Sequence, residues 1–236
     1  MGKEKLSGRK LKEKILKLLT EQDITKGLEE LCRLPARQAI NPLFSFLFSL
    51  DDNVKWRTIT AFGEVVARLA KSDLESARVI MRRLMWNLND ESGGIGWGSP
   101  EAMGEIMARS QGLAEEYAPI LVSYIRPDGN FLEHEVLQRG VLWGLGRLAY
   151  ARSDLVSYAA AFLPPFFESQ DPALRGLAVW AAGALPVDRN LPFIKSLAED
   201  SARFKLCVGG EVIEQSIRKL VAEVLSKTDS KKNPCA

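Results

Sequence analysis

One histidine, His134, is all that the 236 residues contain, so no multi-histidine metal site can be assembled within one chain. The three cysteines, Cys32, Cys207 and Cys235, show no CxxC spacing and cannot all pair. That pattern points to reduced thiols and a cytoplasmic setting. No apolar run approaches the roughly 18 residues of a membrane span, and the N-terminus alternates charge with leucine, without a signal-peptide core. A bias of charge is missing too. The formal charge of +2 neither demands nor excludes a nucleic-acid partner, although a DNA-coating protein is usually more basic. What remains is the balance of a soluble globular protein, with 46% hydrophobic and 26% charged residues. The chain is long for one small domain, a limit that stacked repeats avoid.

Residues 3–19 read as a basic amphipathic helix, with Leu11, Ile15, Leu18 and Leu19 as its apolar stripe and Lys10, Lys12, Lys14 and Lys17 outward. Such a helix can touch an anionic surface, but a repeat stack also needs a polar end, and the cap is the preferred reading. Asp23 is placed to cap a second helix over 24–34, which Pro35 ends. The expected organisation is N-terminal capping helices over 1–35, repeats over 36–190, a C-terminal capping unit over 191–226 and a disordered tail over 227–236.

The repeats emerge when Gly63, Gly104, Gly146 and Gly183 are superimposed, at spacings of 41, 42 and 37 residues. The aligned segments are DDNVKWRTITAFGEVVARL, GGIGWGSPEAMGEIMARSQ, HEVLQRGVLWGLGRLAYAR and DPALRGLAVWAAGALPVDR. That period fits two antiparallel helices with turns, and each segment is the second helix of a pair. The first helices are expected over 36–50, 73–88, 113–125 and 154–168. The pattern resembles HEAT or PBS-lyase-type repeats, and Asp171-Pro172-Ala173-Leu174-Arg175 resembles the start of a HEAT inner helix. The implied fold is an all-α, right-handed superhelix of about five to six helix pairs. A glycine within a helix costs about 1 kcal/mol against alanine, so its recurrence implies close helix crossings. Near the C-terminus, Gly209-Gly210 between 202–208 and 211–213 signals a small β-hairpin, and a last helix follows over 214–226.

Stacking the repeats sorts the second helices into two faces. Ile59, Phe62, Val65, Pro100, Met103, Ile106, Leu142, Leu145, Leu148, Val179, Ala182 and Leu185 form the buried one. The other holds Trp56, Thr60 and Glu64; Trp97, Glu101 and Glu105; Arg139, Trp143 and Arg147; and Gly176, Trp180 and Ala184. Second helices commonly line a concave surface in such folds, so this stripe is expected to be exposed or half-exposed. It carries four of the five tryptophans, and tryptophan and arginine anchor interfaces. Either the column is a binding groove or its rings fill gaps between helices. Lys55, Arg57 and Arg175 fall at its rim.

The connection from Asn89 to Ser99 is glycine-rich, acidic and flanked by Trp86 and Trp97. Asp90, Glu91 and Glu101 could collect a basic partner, while Ser99, as N-cap, and Pro100 start the next helix. An Ω-like loop with purely structural glycines is the alternative. No calcium-loop spacing is present, and neither metal nor cofactor is expected.

Two further resemblances touch chemistry. His134-Glu135 resembles one His-Glu pair of the HEAT-repeat deoxyhypusine hydroxylases, but Asp51-Asp52 and Asp171-Pro172 stand where further pairs would be, which removes an iron site. Trp97 and Glu101, with Arg139 and Trp180 from following repeats, resemble the constellation of the HEAT-like alkylpurine DNA glycosylases, in which Glu101 would be the catalytic carboxylate. The family's carboxylate is Asp, and the flanking GGIGWGSPE differs from theirs. The PBS-lyase-type resemblance implies a third reading, a bilin-lyase-like or chaperone partner of a cofactor-bearing protein. The leading expectation is a non-enzymatic scaffold that binds a protein or peptide through Trp56, Arg57, Asp90, Glu91, Trp97, Glu101, Glu105, Arg139, Trp143, Arg175 and Trp180. A continuous positive strip on that surface would favour nucleic acid, and a mixed surface a protein.

Overall fold

Aspartates at loop ends set the rhythm of the chain. In the computed structural model, which describes residues 8–89 and 96–232, the helices follow as pairs. These are α1 (Gly8–Leu19) with α2 (Ile24–Cys32), α3 (Ala36–Phe46) with α4 (Asp52–Ser72), α5 (Leu74–Leu88) with α6 (Ser99–Arg109), and α7 (Gln111–Ser123) with α8 (Glu135–Val156). Asp23 accepts from the Thr25 and Lys26 N–H groups at the start of α2, and Asp51 does the same for Asn53 and Val54 at α4. His134 accepts from Val136 N–H at α8, which makes it a capping residue. Such caps satisfy N–H groups that a helix start leaves unpaired.

The fifth pair is irregular. A 3-10 turn over Ser157–Phe162 and one turn of helix, α9 (Pro164–Phe167), precede α10 (Pro172–Ala182). A continuous helix over 154–168 was expected from the pattern. Instead α8 runs on to Val156 through a non-helical residue, Arg152, and Pro164 and Pro165, which have no N–H to donate, cannot continue the hydrogen bonding of a helix arriving from before them. After the short α11 (Leu191–Ser196) come β1 (Arg203–Val208), β2 (Glu211–Ser216) and α12 (Ile217–Lys232). The expected hairpin is present, with three more ladder pairs at its base than the spacing implied. It is antiparallel, with Val208 opposite Glu211, and Gly209 and Gly210 take the turn at φ 62° and 87°. The last helix begins later than expected and continues past Ser226.

The second members form a row. α4, α6, α8 and α10 pack side by side, α2 adjoins α4, and α12 adjoins α10. The first members form the other layer against them. All twelve positions assigned to the buried face are buried. α6 sits deepest, with every residue from Ser99 to Ala108 buried. The start of α6 departs from expectation: Gly98, at φ 76°, is the cap, and Ser99 is already helical with its hydroxyl buried and unpartnered. Among the described residues no helix is long and apolar enough to cross a membrane.

The glycine column has a physical cause at its centre. A Cβ on Gly104 would lie 2.3 Å from the Cα and 2.5 Å from the carbonyl oxygen of Gly144, so the α6 and α8 backbones touch there. Gly63 and Gly146 instead face the side chains of Glu105 and Arg109, and of Trp180. Gly104→Ala should therefore push α6 from α8 and cost about 1–3 kcal/mol, read as a lower denaturation midpoint. Gly112→Ala, on α7 with nothing within 4 Å of an added Cβ, should raise the midpoint, by up to about 1 kcal/mol.

Candidate functional site

The Trp stripe forms a ladder of rings. Trp56 of α4 lies 4.8 Å from Trp143 of α8, and Trp143 lies 6.1 Å from Trp180 of α10, with Tyr150 5.3 Å beyond. Beneath it, α6 contributes two buried carboxylates. Glu105 is held between Arg109 Nε on its own helix and Arg147 Nε on α8, each at 2.6 Å, and Arg109 also donates to Glu64. Glu101 accepts from Lys55 Nζ at 3.2 Å through one oxygen, while its other oxygen is buried without a partner. Pairing is what makes burial tolerable, since an isolated buried carboxylate costs several kcal/mol.

The centre of the stripe is closed, which corrects the expectation of an exposed or half-exposed surface there, while Trp56, Thr60, Glu64, Trp97, Arg139, Arg147 and Ala184 keep partial or full exposure. Glu101, Glu105, Trp143 and Trp180 retain 4%, 4%, 5% and 9% of their exposure, and Trp56 is half-buried. The hairpin lies over them. Trp143 Nε1 donates to the Cys207 carbonyl at 3.0 Å, and Phe204 of β1 fills the notch left by Gly176 on α10. Lys205 reaches Asp52 at 2.6 Å, and Glu211 pairs with Arg57 at 3.5 Å, so the hairpin spans from α10 to α4. A hairpin alone is marginally stable, so an apolar face such as that of Phe204 and Leu206 needs a surface to cover.

The rim arginines are tethers. Arg57 donates to the Leu19 and Glu21 carbonyls, Arg139 pairs with Asp171 at 2.6 Å, and Arg175 pairs with Asp200 at 2.8 Å. The stripe side therefore carries mixed charge rather than a continuous positive strip. The two charged members of the glycosylase-like quartet, Glu101 and Arg139, are committed to separate pairs. Trp97 stands apart at 36% exposure, and Asp90 and Glu91 lie outside the described residues. Among the described residues no cluster of His, Cys, Asp or Glu could hold a metal.

Where the hairpin and α12 fail to meet the ladder, a cavity of about 480 Å³ remains. Its walls are Thr60, Trp143, Trp180, Tyr150, Glu105, Arg109 and Arg147 on the helix side, with residues 206–210, Ile213 and Gln215 on the hairpin and Leu220, Glu223, Val224 and Lys227 on α12. Of the residues selected from the sequence, Glu105, Trp143 and Trp180 meet here. Trp56, Arg57, Trp97, Glu101, Arg139 and Arg175 do not line it. Arg109 and Tyr150 were missed, although Arg109 stands four residues after Glu105, the spacing of a helical ion pair.

No protein-family model matches the chain. An uncharacterized protein of Archaeoglobus fulgidus is 31% identical over 107 residues, covering 45% of this chain and 52% of that protein. The chain thus spans about half the length of this curated relative. Among solved structures, an engineered protein from the Northeast Structural Genomics Consortium has a TM-score of 0.53 at 14% identity, covering 94% of this chain and 97% of that one. A designed armadillo repeat protein in complex with the peptide (KR)4 has a TM-score of 0.52 at 16% identity, covering 92% and 98%. At such identities the likeness is one of fold: a HEAT/armadillo-type helical-repeat stack.

Two tests address the hairpin. Burial pushes the Cys207 thiol up to about 12, so iodoacetamide at pH 8 should leave it unmodified in the native protein. Trp143→Phe should speed its alkylation, followed by mass spectrometry, by about fivefold to tenfold, matching the ~1 kcal/mol of one hydrogen bond. Asp200 secures the hairpin base through Arg175 and Ala202 N–H. Burial raises its carboxyl, but those hydrogen bonds more than offset that and hold it below the usual range. Its contribution is therefore complete above the ordinary Asp value of about 3.9 and is lost as pH falls through the lower folded value. Near-UV circular dichroism should report weaker hairpin docking below about pH 4, and in Asp200→Asn at neutral pH as well.

Proposed function

We propose that this chain is a non-enzymatic helical-repeat scaffold that binds a protein or peptide partner on the stripe side of its inner helices. The observation that carries the reading is the cavity of about 480 Å³, which joins three aromatic walls to two guanidinium groups. Its size falls within the range of about 300–1,000 Å³ typical of ligand sites. Aromatic rings and arginines are also the side chains that supply most binding energy at interfaces. The helical-repeat fold supports the same view, since the designed armadillo protein is itself in complex with a peptide. That peptide is basic, whereas arginines line this cavity, so a ligand of different charge is expected here. The free thiols of Cys32 and Cys207 suit a reducing cytoplasm.

The test is selection of random peptides on the immobilised protein, displayed once with a free amino end and once with a free carboxyl end. Enriched peptides should bind in fluorescence anisotropy and lose at least about tenfold in affinity, or 1.4 kcal/mol, on Tyr150→Ala. Tyr150 is half-exposed at 46%, so its removal should spare the fold. Trp97→Ala, outside the cavity, should bind as wild type. No enrichment, or equal loss from Trp97→Ala, overturns the reading.

A further inference from the structure

We infer that the cavity receives the free C-terminus of a partner chain whose last residue is apolar. The inference rests on the partner-binding reading and names the part of the partner that enters.

The argument begins with Glu105. Its two oxygens are each occupied, Oε1 by Arg109 Nε and Oε2 by Arg147 Nε, both at 2.6 Å. At 4% exposure the carboxylate cannot swing away, so it clamps both guanidinium groups by their inner edges. Arg109 spends one terminal nitrogen on Glu64. Among the described residues, the terminal nitrogens of Arg147 and the second one of Arg109 have no hydrogen-bond acceptor. Both arginines line the cavity. The cavity lining sets three cations, Arg109, Arg147 and Lys227, against two carboxylates, Glu105 and Glu223, and the unused planar forks of the arginines suit a further carboxylate.

The rest of the wall fixes what accompanies that carboxylate. Trp143, Trp180 and Tyr150 offer rings to an apolar group. Gln215 is 8% exposed and lines the same space, and its side-chain amide makes no hydrogen bond among the described residues, so it can meet a backbone N–H or C=O. An Asp or Glu side chain brings the charge without the apolar body. An internal Leu or Phe brings the body without the charge. A chain end carries both on one Cα, with a backbone amide beside them.

N-acetyl-L-phenylalanine and N-acetyl-L-phenylalaninamide are the minimal probes, titrated into the protein while the Trp143 indole N–H and the Gln215 side-chain amide are followed by NMR. The acid should bind at least about tenfold more tightly than the amide. Arg147→Lys, which keeps the charge and loses the fork, should reduce that preference. Val208→Glu should abolish it: Val208 lines the cavity, is 51% exposed, and can carry a repelling carboxylate without loss of core. Equal affinity for acid and amide overturns the inference, as does a preference unchanged in both variants. Selected peptides that bind equally well with amidated C-termini overturn it too, and leave the partner reading standing. Binding of the acid probe with no peptide enriched overturns both, and identifies a free small carboxylate as the ligand.

Discussion

Two glycines, Gly104 on α6 and Gly144 on α8, bring the central helices so close that neither could carry a side chain at the crossing. Because α6 is buried along nearly its whole length, Glu101 and Glu105 have no water to face and must be met by cations from their surroundings. The crossing makes that possible. It sets Arg147 of α8 within 2.6 Å of Glu105, while Lys55 of α4 reaches Glu101 from the other side. The same close packing aligns Trp143 with its neighbours in the ladder. A wider crossing would separate the ion pairs and the rings together, so the electrostatics of the site are a consequence of helix spacing.

The hairpin and the ladder each lack something that the other supplies. Rings stacked across α4, α8 and α10 would leave apolar surface in water, and a two-stranded ribbon has no core of its own. Docking one on the other removes both costs. The Trp143 indole N–H gains the Cys207 carbonyl, a bond to the backbone that is indifferent to the side chain at that position. Specificity comes from Phe204 in the Gly176 notch and from the outer ion pairs of Lys205 and Glu211. Lys205, Asp52 and Glu211 are exposed to solvent, so these pairs contribute little; the ring and the indole bond carry the attachment.

The repeat stack was legible because its signals are local. The Asp caps and the three core positions of each repeat lie within one helix pair, and the glycine spacing is the period from one pair to the next. The hairpin was legible for the same reason, from Gly209-Gly210. Its destination was not: the bond from Trp143 to Cys207 joins residues 64 apart, and that from Lys205 to Asp52 joins residues 153 apart. Periodicity names the face that carries the tryptophans, but it does not say what lies against that face. The centre of the stripe was therefore read as open when it is covered. Arg139 and Arg175 were chosen for their residue type, yet each is used to tie one repeat to the next through Asp171 or Asp200.

Covering the centre of the stripe changes what kind of recognition is open to it. An open groove spreads affinity over many weak contacts along an extended chain. Beside the covered rings lies a cavity of limited size, so the proposed ligand would be held by a few contacts made well. The clamp on Arg109 and Arg147 suits that demand. Arginine normally loses rotamer freedom on binding, at about 0.5–1.5 kcal/mol for each immobilised side chain. Glu105 has already imposed that loss during folding, and it has done so through the Nε edges, leaving terminal nitrogens for the proposed ligand. The buried carboxylate is thus costly as a stabilising element and valuable as a positioning one. Its presence beneath an aromatic wall, at the deepest helix of the stack, is what distinguishes this cavity from a packing defect.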